Sequence, residues 1–76
     1  MKDGPKHLIG KVISGAVVAK GRLGREQLFI TFTDDTYFEI WGDSFNCNSG
    51  VDPGGAEAAI DYAIRGGAEV IAVYPK

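Results

Sequence analysis

Cysteine and histidine each occur once in this chain, as Cys47 and His7, and their scarcity excludes several kinds of protein. A single thiol makes no intrachain disulfide, and it fits a reducing compartment. One cysteine and one distant histidine do not make a zinc site. No metal and no cofactor is therefore expected. Cys47 lies outside any Cys-x-x-Cys pattern and reads as a structural thiol. Long apolar runs are absent too. No stretch approaches the ~20 residues of a membrane-spanning helix. The residues after His7 are broken by Gly10, Lys11, Ser14 and Gly15, which is not a signal-peptide core. The expected location is the cytoplasm.

Basic residues become scarce after Arg25. Lys2, Lys6, Lys11, Lys20, Arg22 and Arg25 precede that point against Asp3 alone, a local charge of +5. The remainder holds nine acids against Arg65 and Lys76, a charge of -7, so the net -2 hides an asymmetry. The simplest expectation is that basic and acidic segments meet on the folded surface and cancel. The sharper one is a dipolar surface that orients a charged partner. At 76 residues the chain is expected to form one domain, 1–76, with a loose terminus over 1–6.

What is present is concentrated in residues 28–42, Leu-Phe-Ile-Thr-Phe-Thr-Asp-Asp-Thr-Tyr-Phe-Glu-Ile-Trp-Gly. They read as two strands joined by a tight acidic turn. A two-residue loop at Asp34-Asp35 would oppose Ile30 and Glu39, mixing apolar with charged. A three-residue loop, Asp34-Asp35-Thr36, pairs Phe32 with Phe38 and Ile30 with Ile40. That makes one face apolar, so this register is expected. The opposite face then carries Phe29, Thr31, Thr33, Tyr37, Glu39 and Trp41.

Upstream, residues 7–19 read as a long first strand with no clean alternation, and Ser14-Gly15 predicts a bulge that changes its face. Gly42-Asp43 signals a turn, and a short strand over 44–48 would put Phe45 and Cys47 on one side. Asp52-Pro53 predicts a helix start with Asp52 as its cap. Ala56, Ala59, Ile60, Ala63 and Ile64 form a helical apolar stripe, ended by Gly66-Gly67. Glu69 to Tyr74 reads as a last strand before Pro75. The expected fold is α+β, in the order β-β-β-(β)-α-β. It has an antiparallel sheet of four or five strands with one helix packed on one face, the seat being Leu28, Ile30, Phe32, Phe38 and Ile40.

That arrangement leaves Phe29, Tyr37, Glu39 and Trp41 as the candidate partner-binding residues. Trp and Tyr dominate binding hot spots, and Glu39 would supply an acidic rim. The competing reading is that the bent first strand folds over these aromatics to make a partly closed barrel. Lys20, Arg22 and Arg25 are the alternative, nucleic-acid-binding set. Gly21-Arg22-Leu23-Gly24 has the Gly-x-x-Gly spacing of an RNA-clamping KH loop, but it lies between strands rather than helices, and the chain is acidic overall. Asp34 and Asp35 read as turn formers. No nucleophile, base and orienting group can be assembled, so catalysis is not expected. The expectation is a non-enzymatic protein-interaction module that binds another protein or a second copy of itself. An inhibitor or adaptor of the kind carried by phages and mobile elements is a class-level analogy for it.

Overall fold

In the computed structural model, which describes residues 4–42 and 46–75, the chain is an α+β unit. A short 3-10 turn, Gly4–Leu8, precedes β1 (Ile13–Lys20), β2 (Glu26–Phe32) and β3 (Thr36–Trp41). Two brief strands follow, β4 (Asn46–Cys47) and β5 (Asp52–Pro53), then α1 (Gly55–Arg65) and β6 (Glu69–Tyr74). Among the described residues these strands form one sheet in the order β4-β3-β2-β1-β6, with β5 also paired to β3. Every pairing is antiparallel. The turn residue Asp43 and the fourth-strand residue Phe45 fall outside the described residues.

The hairpin keeps the expected faces but not the expected pairs. The loop is Thr33-Asp34-Asp35, and the ladder joins Leu28 to Ile40, Ile30 to Phe38 and Phe29 to Glu39. The whole register is two residues away from the expected one, so face membership survives while each partner changes. The reason is the left-handed residue that ends such a loop. Asp35 takes that position with φ 66°, and its amide donates to the Phe32 carbonyl at 3.1 Å. The expected loop would have put β-branched Thr36 there, where a left-handed backbone is strained.

In β1, the pairing slips between Ile13 and Gly15, so Ser14 is the extra residue of a bulge. The bulge turns Ile13 to the same face as Ala16 and Val18, which explains the broken alternation. Gly15 is needed there, because a Cβ would lie 2.2 Å from the Tyr74 carbonyl oxygen of β6.

The helix does not sit where the apolar pattern pointed. It covers the opposite face, over Val17, Ala19, Phe29 and Tyr37, with Ala59 and Ala63 buried against them. The cause is topological. The strand pairings make β5 and β6 parallel to each other, so α1 is the crossover between them. Such crossovers are right-handed in about 98% of cases. That hand carries α1 over the face of Phe29 and Tyr37. Alanines at the contact let the helix approach closely, and Ile64 of the expected stripe points to solvent.

One further expectation is corrected. Asp52 does not cap the helix: it lies in β5 opposite Tyr37, and its carboxylate accepts a bond from Asn48 Nδ2 at 3.0 Å. The N-cap is Gly54 (φ 103°), with no side-chain cap bond, and its amide donates instead to the Asp35 carbonyl at 2.8 Å. At the other end, Gly67 (φ 85°) supplies the left-handed residue, and the Ala68 amide returns to the Ala63 carbonyl. Gly4–Leu8 form the 3-10 turn, with Gly4 buried against Asn48 and Phe38.

Candidate functional site

The residues singled out as a partner surface divide into two groups. Phe29 is 0% exposed and Tyr37 6%, their rings in edge contact at 5.9 Å beneath the helix. They are buried rather than accessible, because α1 and not a folded-over first strand covers them. Glu39 and Trp41 lie at the margin of the helix, on the same sheet face. There they join Gln27, Arg25 and Tyr62 around a cavity of about 190 Å³.

This corner is built from register. Gln27 lies opposite Trp41 in the ladder, and Glu39 opposite Phe29. The face therefore changes from aromatic to polar where the helix ends its cover. Glu39 is only 4% exposed, and Gln27 Nε2 donates to its Oε2 at 3.0 Å. Burial raises the pKa of Glu39, the Gln27 bond opposes the rise, and the charge of Asp52 adds to it. Among the described residues Glu39 makes no ion pair. Gln27 Oε1 is buried without a hydrogen-bond partner. Tyr62 packs edge-on to Phe29 at 6.1 Å. Its hydroxyl pKa is raised first by the charge of Glu39, then by burial and Asp52. Tyr62 also borders a second cleft of about 450 Å³, with Tyr37, Asn48 and Asp52 on its wall. The value of Gln27 was not legible in the sequence. Its place opposite Trp41 exists only in the observed register.

The other sheet face carries a different feature. The ladders align Ala72, Val18, Leu28, Ile40 and Cys47 in one row. The next row aligns Tyr74, Ala16, Ile30 and Phe38. Phe38 is buried beside the N-terminal turn, and Lys11 lies over the Phe32 ring at 5.5 Å. Toward β6 the rows open: Leu28 is 37% exposed and Tyr74 45%, with Val18, Ile30 and Ile40 half-buried. No charged residue stands in either row.

Among the described residues Lys20, Arg22 and Arg25 make no ion pair. Lys20 is in register with Glu26 on one side and Glu69 on the other. The Arg22 side chain lies against Gly67, at the helix C-terminus, where a cation is favoured. Lys11 pairs with Asp34 and lowers its pKa, helped by Thr36. Among the described residues the Lys11–Asp34 pair is the ion pair that joins the basic first segment to the acidic remainder. Among the described residues no group of three His, Cys, Asp or Glu could hold a metal ion, and no helix is long and apolar enough to cross a membrane. Compared with known proteins, the chain matches no family model, no curated protein and no solved structure.

Proposed function

We propose that the chain is a non-enzymatic protein-interaction module of the inhibitor or adaptor kind, binding through the aliphatic sheet face of its hairpin and first strand. This is the opposite side of the same hairpin from the aromatic face that the sequence suggested. The observation that carries the reading is the pair of uncharged rows reaching from Ala72 and Tyr74 across Val18, Leu28, Ile30 and Ile40. A contiguous apolar sheet face of this kind gains by being covered, at roughly 25 cal/mol per Å² buried. Sheets stack face to face about 10 Å apart, and two identical uncharged faces are self-complementary about a two-fold axis. A second copy is thus the first partner to test.

Sedimentation equilibrium over a wide concentration range tests this. The wild-type chain is expected to associate, and Leu28→Lys or Val18→Lys to remain monomeric with the same melting temperature within a few degrees. A strictly monomeric wild-type chain would exclude the second copy. The aliphatic face would then have to capture another protein, with the same two variants abolishing the capture. A partner retained equally by both variants would overturn the assignment of this face.

A further inference from the structure

We propose that the corner formed by Gln27, Glu39, Trp41 and Tyr62 is a binding pocket for a guanidinium group. It lies on the helix-covered side of the sheet, independent of the aliphatic face above. The proposal rests on one buried acceptor without a donor and on a carboxylate without a cation. Glu39 is a nearly fully buried carboxylate with no ion pair among the described residues. Gln27 Oε1, from the adjacent strand, is buried with no hydrogen-bond partner. Leaving a buried acceptor unmatched costs stability, so such groups call for an explanation. Gln27 uses its own donor on Glu39, which turns its oxygen away from that bond.

The walls select the kind of cation. Trp41 and Tyr62 line the cavity, and aromatic faces attract cations. A guanidinium presents planar donors to several acceptors at once, stacks on aromatic rings and is weakly hydrated. An ammonium is a compact, strongly hydrated charge that loses more on entering. At about 190 Å³ the cavity is smaller than the ~300–1,000 Å³ of typical small-molecule sites. It suits one head group. Asp52, across Tyr62, adds negative potential from the neighbouring cleft. Arg25 also lines the cavity, yet it forms no ion pair with Glu39 and acts as a like charge at the rim.

The head group could arrive on a protein side chain or as a free guanidine, and the probes separate these sources. Trp41 is the only tryptophan, so its emission reports on the pocket. The chain is titrated with methylguanidinium, a capped Gly-Arg-Gly peptide, methylammonium and neutral urea, all below denaturing concentrations. A saturable change is expected with both guanidinium probes, weaker with methylammonium and absent with urea. Tighter binding of the peptide assigns the site to a side chain, and equal binding assigns it to a free guanidine. Glu39→Gln should weaken binding at least tenfold while still melting cooperatively, at or above the wild-type temperature, and Arg25→Ala should tighten binding. A titration without saturation, a response matched by urea, or unchanged affinity in folded Glu39→Gln would overturn the proposal.

Discussion

Phe29 stands directly opposite Glu39 in the β2–β3 ladder, so a fully buried ring and a nearly fully buried carboxylate share the face beneath the helix. The pair makes stability depend on pH. Burial raises the Glu39 pKa, so the folded chain holds that proton more tightly than the unfolded one. The contribution is therefore most favourable below the ordinary carboxylate range. It falls as pH rises through the raised folded value, leaving a constant penalty above it. Glu39→Gln removes this dependence. Thermal melts from acid to neutral pH should show the variant near wild type at low pH and more stable than wild type at neutral pH.

Phe38 belongs to the other face but is 1% exposed. Phe38→Ala should cost about 3–5 kcal/mol, enough to unfold a domain this small. Leu28→Ala, in the exposed part of the same face, should cost about 1 kcal/mol or less. Urea denaturation of the two variants measures the contrast. Equal losses would mean that Leu28 is covered within a single chain.

Gly15 allows β6 to pair against β1. A Cβ there would meet the Tyr74 carbonyl oxygen at 2.2 Å, and backbone has little room to yield. Gly15→Ala should destabilise by about 2 kcal/mol or more. Amide hydrogen exchange should locate the damage in β6, whose protection falls before that of the β2–β3 hairpin. Uniform loss of protection would show that β6 does not open separately.

Gly54 opens the helix with φ 103°, and a Cβ there would approach Ala58 Cβ to 2.5 Å. Gly54→Ala should therefore destabilise by about 1–3 kcal/mol, although alanine is ordinarily the better helix former. Chemical denaturation checks the sign. A stabilised variant would place the helix start elsewhere.

Much of this fold was legible along the chain. The bulge at Ser14, the hairpin, the helix stop at Gly67 and the final strand each follow from a local signal. The hairpin faces were readable because alternation has a period of two, and a register error of two residues leaves faces unchanged. The flanking apolar residues share a face in either three-residue loop, so they do not select between the two. The left-handed position at Asp35 decided the loop, and it favoured aspartate over β-branched threonine. The Asp52-Pro53 signal was misread because cap chemistry also suits a short edge pairing. Asp52 found its donor in Asn48, and the helix began at the glycines.

The candidate site was legible in part. Glu39 and Trp41 were marked by being polar or amphipathic on a strand otherwise rich in apolar residues, and both line the pocket at the helix margin. Gln27 carried no comparable mark, since its role depends on lying beside Glu39 across two strands.

By itself the sequence determined two hairpin faces, one aliphatic and one mixed aromatic and polar, through side-chain alternation. It did not determine which face the helix would cover. Both faces hold enough apolar surface to seat an alanine-lined helix. The tertiary structure decided between them, because β5 and β6 run parallel at opposite ends of the sheet. The right-handed crossover that joins them passes over only one side. That buried Phe29 and Tyr37, left Leu28 and Ile30 on the uncovered side, and placed Glu39 at the helix margin. Handedness of a crossover is a property of the assembled sheet, so no pattern within the hairpin records it.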